Sequence, residues 1–435
     1  MKIWSIAKDM AAQTPQERNR YVDFLRAASI LVVVFGHWLI ATVYFVDGDV
    51  TVGHLLKQQP QTHWLTWLFQ VMPIFFIVGG YSNAVSLESA KRKGTGYAEW
   101  LAARINRLVA PLLVLIFAWA GIALIMKFLG VSERIIQYTS QASLIPTWFL
   151  AIYIVVVILA PLTYASWRKA GFLSFWGFVG MAALVDFAFF RYGFEWLGWT
   201  NYFWVWLAVS QLGFAWRDGR MGGPGRLLVY AALGFAALYL LVSQGPYPLA
   251  MVGSPDPGLS NTLPPKITLI ALGVFQFGLL LSLEGVMRKA LAGLRLWAAT
   301  VLINSMIMTV YLWHITVMII VGGLLFLAGG IGLGIEPGTG DWWATRPLWL
   351  GGLAIVLVPV ALLMSGFERM GRSPDSAVPS AWRQIPGALM VCLGIALLAM
   401  FGYGGGPWQH LDIAAFLLVV VGSALSGLLP SIGRK

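Results

Sequence analysis

The sequence predicts an all-α integral membrane protein, a polytopic bundle of about 12 transmembrane helices with both termini in the cytoplasm. Three observations predict it. Of the 435 residues 59% are hydrophobic and 11% charged, with a mean hydropathy of +0.77, whereas soluble globular chains carry about 25% charged residues. About a dozen stretches reach the ~20 apolar residues that a helix needs to cross the hydrocarbon with every backbone polar group bonded within the segment. The basic residues alternate by loop: 22 Lys and Arg fall on the side of the N-terminus and six on the other, Lys57, Lys127, Arg134, Arg191, Lys266 and Arg346, while the acidic loop residues divide eight and eight. An excess specific to Lys and Arg marks the cytoplasmic side.

From the N-terminus, residues 1–21 form a polar arm, so no cleavable signal peptide is expected and the first span acts as its own insertion signal. Spans are expected at 22–46, 64–87, 108–130, 147–166, 171–190, 199–216, 226–243, 267–284, 298–329, 348–367, 386–402 and 411–430. The ninth is long enough to hold a break or an interfacial first turn. In the second, Pro73 implies a kink and the Gly79-Gly80 pair a close helix contact. The longer outer connections, 244–266 and 331–347, read equally as a lid or acceptor surface and as interfacial connectors with an aromatic belt. Cys392 is the single cysteine, which excludes an internal disulfide, and five scattered histidines leave no zinc pattern and no metal site. The net charge of +11 is an orientation signal, not a sign of a nucleic-acid partner.

Charged groups inside a membrane helix cost ~2.5–3.5 kcal/mol each and mark function by default. The first span, RNRYVDFLRAASILVVVFGHW, holds Asp23, Arg26 and His37. At 100° per residue Asp23 and Arg26 are one turn apart, and Arg26 and His37 differ by about 20° in azimuth and ~16 Å in rise. All three share a face, with an ion pair near the cytoplasmic end and an imidazole expected near mid-bilayer. Histidine suits proton abstraction because it is neutral at pH 7 and still accepts a proton. A lone histidine on an apolar face is more often a core residue bonded to a neighbouring helix. Sharing the stripe with Arg26 and Asp23 favours a catalytic base, although Asp23 and Arg26 alone read as well as snorkelling residues at a helix end.

The loop expected after the second span, KRKGTGYAEWLAARINRLVAP, holds Arg104 and Arg107 three residues apart. On a helix these present two guanidinium forks to one side, a geometry suited to phosphate, and ordinary positive-inside charge explains them equally. The ninth span contains the second intramembrane histidine, His314, in NSMIMTVYLWHITVM. His54, His63 and His410 fall on the outer side and have no chemistry assigned to them.

These pieces, in this order, resemble the membrane-bound acyltransferase-3 family over about residues 18–370. The resemblance rests on the Arg-x10-His of Arg26 and His37, the aromatic-glycine stretch Phe75–Tyr81, the R-x-x-R of Arg104 and Arg107, the WFL of Trp148–Leu150 and the Y-L-x-H of Tyr311–His314. It implies an O-acyltransferase with a ten-helix core that takes an acyl group, commonly acetyl, from cytoplasmic acyl-CoA to a hydroxyl of a cell-envelope glycan or glycolipid. It implies a multi-pass protein of the bacterial inner membrane, with acetyl-CoA or another acyl-CoA as co-substrate and no permanently bound cofactor. His37 would be the base, with Arg26 and Asp23 completing the catalytic set; Arg104, Arg107, Tyr81 and Trp148 would hold acyl-CoA; and His314, Tyr311 and Asn83 would support them.

The resemblance divides the chain into the arm 1–21, an acyltransferase domain 22–370, and a linker with two additional transmembrane helices, 371–435. The last two spans exceed the family pattern and read as packing or partner-binding helices. Relatives that append an extracytoplasmic hydrolase-like domain imply that the membrane domain here completes the reaction or that a separate partner protein does. The outer segment SPDPGLSNTLPPK looks similar to actinobacterial members, implying an acceptor such as a trehalose mycolate. A proton-coupled transporter or lipid flippase is the alternative. It would be favoured by an internal repeat, which is not seen, and by acidic residues at mid-membrane, of which Asp186 is the one well inside an apolar span. A scaffold without chemistry leaves Arg26 and His37 unexplained.

Overall fold

A computed structural model of the chain describes residues 2–15, 17–46, 49–253, 258–368, 377–404 and 410–428. Among the described residues the protein is all-α apart from one two-stranded hairpin. Among the described residues nine helices are long and apolar enough to cross a membrane, and the pair Thr268–Ser282 and Glu284–Ala290, bent by 51°, makes a tenth if it is one span. Each of the twelve expected spans contains a helix, but Asn201–Arg217 has 17 residues and Leu411–Leu425 has 15, short of the ~20 that a perpendicular crossing needs. Of the twelve expected spans, nine or ten are therefore full-length crossings by length and composition.

Three expected boundaries move, each for a local reason. The first span ends at Ile40 instead of 46, because Ala41–Val46 pairs antiparallel with Asp49–His54 in a register that sets Ala41 opposite His54. The third begins at Tyr97 instead of 108, so the R-x-x-R lies on the spanning helix Tyr97–Phe128 and not in a loop. Pro73 is the second residue of the helix Met72–Arg92 and starts it rather than kinking it, as expected for a residue that lacks the N–H left unbonded there. The expected break in the ninth span falls at Met306, between Leu294–Ser305 and Ile307–Leu327.

The chain divides into two compact units. The first comprises Met1–Ser86, Ala160–Ile307 and Glu336–Trp343. In it the helices Met72–Arg92 and Asn201–Arg217 cross with backbone in contact: a Cβ on Gly80 would sit 2.1 Å from the Ser210 carbonyl oxygen, and one on Gly213 2.0 Å from that of Ile77. Beside this crossing Phe76 stacks on Trp206 with ring centres 4.3 Å apart. The outer connection 244–266 is fastened down at several points. Trp67 Nε1 and Gln70 Nε2 donate to the carbonyls of Leu249 and Met251, both at 2.8 Å. Asp186 accepts from Asn201 Nδ2 at 2.8 Å, Tyr247 Oη at 3.1 Å and the Ile267 amide at 2.8 Å. Lys266 is fully buried beside them with Nζ 3.5 Å from the Phe189 ring centre, and burial pushes its ammonium below the ordinary lysine value. The intramembrane carboxylate of Asp186 thus ties a loop to two helices. Ser254–Pro257, in the segment compared with actinobacterial members, lie outside the described residues.

The second unit comprises Leu87–Leu159, Met308–Ile335 and Ala344–Lys435. It contains the last two helices, Ala381–Phe401 and Leu411–Leu425, which pack through glycines: a Cβ on Gly387 would meet the Gly422 carbonyl oxygen at 2.6 Å, and one on Gly394 that of Ala415 at 2.6 Å. They dock on the rest of the unit through Gln384 Nε2 to the Ala98 carbonyl at 3.0 Å and Tyr403 Oη to that of Ile116 at 3.0 Å. Of the linker between the tenth and eleventh spans, 371–376 lie outside the described residues, as do 429–435 at the end of the chain.

Candidate functional site

Asn19 starts the helix Arg20–Ile40 by accepting from the Tyr21 amide at 3.1 Å, and its Nδ2 donates to Tyr81 Oη at 3.3 Å. This registers the first spanning helix against Met72–Arg92. One turn further, Arg26 Nη1 lies 3.3 Å from Asp23 Oδ1 while Nη2 donates to Ser82 Oγ at 3.0 Å. The other carboxylate oxygen of Asp23 pairs with Arg18 Nε at 2.5 Å, and the Asp23 main-chain carbonyl accepts from Asn304 Nδ2 at 2.9 Å. Asp23 is 5% exposed, and its hydrogen bond raises the Arg18 guanidinium above the ordinary arginine value. A buried carboxylate between two guanidiniums is compensated, and Arg26 is oriented by partners on two helices. The snorkelling alternative does not account for the Ser82 contact. Asn83, beside Ser82, is buried.

His37 shares that helix. With the helix ending at Ile40, His37 lies in its last turn, half-buried, and its carbonyl accepts from the Ala41 amide where the hairpin begins. A Cβ on the preceding Gly36 would meet nothing within 4 Å, so space is open beside the imidazole's neighbour. His54 is the residue that sequence reasoning missed. Opposite Ala41 in the hairpin register, it comes close enough to His37 to interact electrostatically. The signal was present: Asp47-Gly48 between two runs rich in Val, Thr and aromatic residues is the strongest short-range mark of a hairpin.

The remaining candidates are in the second unit. Arg104 and Arg107 lie one turn apart on Tyr97–Phe128, Arg107 exposed and Arg104 half-buried with its guanidinium 5.9 Å from the Trp100 ring centre. Trp148 is half-buried in the first turn of Thr147–Ala170, its ring edge-on to Phe149 at 6.5 Å. Tyr311 joins this helix start to Ile307–Leu327: its hydroxyl donates to the Pro146 carbonyl at 2.6 Å and its ring meets Phe149 at 6.0 Å. His314 is fully buried, and its Nδ1 lies 2.6 Å from the Tyr311 carbonyl. A carbonyl only accepts, so that nitrogen carries the proton. The sequence motifs therefore meet in two groups, Asp23, Arg26, Tyr81 and Ser82 in one unit and Trp148, Tyr311 and His314 in the other.

A family model described as an acyltransferase domain matches residues 19–366, which includes every candidate site residue picked out from the sequence and stops before the last two helices. No curated protein and no solved structure matches the chain.

Proposed function

Because the chain belongs to the membrane-bound acyltransferase-3 family, and is a multi-pass membrane acyltransferase, we propose that it moves an acyl group, acetyl in the first instance, from cytoplasmic acyl-CoA to a hydroxyl of a cell-envelope glycan or glycolipid in the bacterial inner membrane. Neutral His37 takes the proton of the acceptor hydroxyl as its oxygen attacks the thioester carbonyl carbon. The tetrahedral intermediate then expels the CoA thiolate, and the imidazolium returns the proton to that sulfur. Base action of this kind is worth ~10²–10⁴ in rate, and holding donor and acceptor together supplies much of the remainder. Arg26 orients the donor, while Arg104 and Arg107 bind CoA phosphates, with Tyr81 and Trp148 at its side. His54 is added to the set as a residue that tunes His37.

The observation that carries this reading is the Asp23–Arg26–Ser82 arrangement. An intramembrane arginine fixed by a buried carboxylate and a hydroxyl from a second helix is positioned for a ligand, and it shares a helix with the one half-buried histidine of the two intramembrane ones. The carrier alternative drew on Asp186, whose carboxylate oxygens are both engaged, Oδ1 by Asn201 on a neighbouring helix and Oδ2 by Tyr247 and the Ile267 amide of the outer connection. The test is transfer of labelled acetyl from acetyl-CoA to an extract of envelope glycolipids by purified protein in liposomes, wild type against His37→Ala. Transfer confined to wild type is expected. Equal transfer by the variant removes His37 from the mechanism.

A further inference from the structure

Three arginines that the loop-charge count treats as orientation signals are gathered by the fold into one cavity. It measures about 520 Å³, lies wholly within the first unit, and is lined by Tyr81, Val85, Arg168, Arg217, Asp218 and Arg220. Small-molecule sites range over about 300–1,000 Å³. Arg168 comes from the last turn of Thr147–Ala170, Arg217 ends Asn201–Arg217, Arg220 belongs to the next turn, and Tyr81 and Val85 stand one turn apart on Met72–Arg92. Cations are drawn to helix C-termini in any protein, which accounts for Arg168 and Arg217 singly but not for a shared concavity or for Arg220.

The electrostatics of the lining favour an anion. The one acidic group, Asp218, has both oxygens engaged: Oδ2 accepts from Trp167 Nε1 and Oδ1 from Arg217 Nη1, each at 2.9 Å. The lining thus carries three guanidiniums and one carboxylate, and that carboxylate is already committed. Arg220 is held over the Trp167 ring at 5.5 Å from its centre, a stacking that fixes the plane of the fork and leaves its edge to donate. Tyr81 Oη accepts from Asn19, so its own proton is left to give. Arg168 and Arg220 are exposed, and the cavity is open to a ligand from solvent.

We infer that this cavity is a subsite for the phosphate-bearing nucleotide end of the acyl donor, with Arg168, Arg217, Arg220 and the Tyr81 hydroxyl as its donors. The inference rests on the acyl-CoA reading of the protein's function. Forked guanidiniums and a phenol are the groups that match a diphosphate or phosphomonoester, and the donor carries more than one phosphate group, so the R-x-x-R pair does not exhaust it. Anionic lipid headgroups offer the same phosphate chemistry from a different source.

Full-length protein in phosphatidylcholine nanodiscs is titrated with acetyl-CoA and with adenosine 3′,5′-bisphosphate, as wild type, Arg168→Ala/Arg220→Ala, Arg220→Glu and Arg220→Lys. Both probes are expected to bind wild type competitively and to bind the double variant and Arg220→Glu about 10- to 100-fold more weakly, as loss of charge-assisted hydrogen bonds implies. Arg220→Lys loses less, and all four proteins melt alike without ligand. Equal affinity of the double variant and wild type for acetyl-CoA overturns the subsite while leaving the donor reading intact. Bisphosphate binding that the variants lose but acetyl-CoA does not compete for overturns the assignment to the donor, whereas failure of wild type to bind acetyl-CoA at all overturns the donor reading. Displacement of the bisphosphate by phosphatidylglycerol added to the nanodiscs assigns the cavity to a lipid headgroup and overturns the nucleotide.

Discussion

His37 and His314 are the two histidines in strongly apolar helices, and the fold treats them in opposite ways. His314 lies mid-helix, fully buried, with Nδ1 donating to the carbonyl three residues back, next to a tyrosine that fastens the start of a neighbouring helix. His37 lies in a last helical turn, half-buried, beside an open Gly36 and close to a second imidazole. A histidine whose ring is engaged by its own helix inside a packed core serves packing. One at a helix end, where the chain turns into a hairpin, can meet a substrate. The difference lies in the downstream segment, helix in one case and hairpin in the other, and in the surroundings of each ring, since both histidines lie in helices long and apolar enough to span a membrane.

Substitutions at and around the two histidines test that contrast. The largest expected effect is on turnover: His37→Ala lowers the transfer rate by ~10²–10⁴ with an unchanged melting midpoint, whereas His314→Ala lowers the midpoint and leaves the rate per folded molecule within tenfold. A reversed pattern in a paired melting and acetyl-transfer assay would exchange their roles. Next, Arg26→Ala removes the guanidinium shared by Asp23 and Ser82, and about a 10- to 100-fold loss of transfer is expected from the charge-assisted contacts. Asp23 keeps its pair with Arg18, so the variant folds and is isolated in normal yield.

Effects on stability are smaller. Gly80→Val places a side chain on the Ser210 carbonyl and is expected to cost about 1–3 kcal/mol or more by overpacking, read as a lower melting midpoint in detergent, while Gly36→Ala, which meets nothing, leaves it unchanged. Tyr311→Phe leaves the Pro146 carbonyl without its donor at about 1–3 kcal/mol, with the transfer rate per folded molecule preserved. The smallest expected effect is that of His54→Ala, a change of less than tenfold in transfer with a shifted pH profile. An unshifted profile detaches His54 from His37.

Much of the fold was legible, because a membrane helix is specified by local hydropathy, and each expected span contains one. Local competition escaped that reading. The run from Phe35 to Val46 carries no Asp, Glu, Lys or Arg and is mostly apolar, so hydropathy carries the helix across the hairpin boundary. The β-branched residues of 41–46 and their pairing with 49–54 decide otherwise, and the hairpin is what brings His54 to His37. Conversely the polar stretch 97–107 hides the start of a spanning helix whose basic residues are on its first turns. Of the site, the Asp23–Arg26 pair was readable from spacing, since three residues make one turn. Ser82 was not, because only the packing of Arg20–Ile40 against Met72–Arg92, where Asn19 meets Tyr81, sets its register against Arg26.

The class, an all-α membrane acyltransferase, is written in the chain through properties that need no partner: hydrophobic length, motif order and the period of a helix. The same properties single out His37, Arg26 and Asp23 as charges or imidazoles too costly to bury idly. The groups that each polar residue faces were settled by packing alone. Packing turned Asp186 from a sign of transport into a loop anchor, separated a fully buried histidine from a half-buried one, and collected Arg168, Arg217 and Arg220 from two helix ends and a turn into a single cavity. The physical reason is that hydropathy acts along the chain and can be summed from it, whereas hydrogen bonds and charge pairs depend on which distant residues the packing of helices brings within about 3 Å.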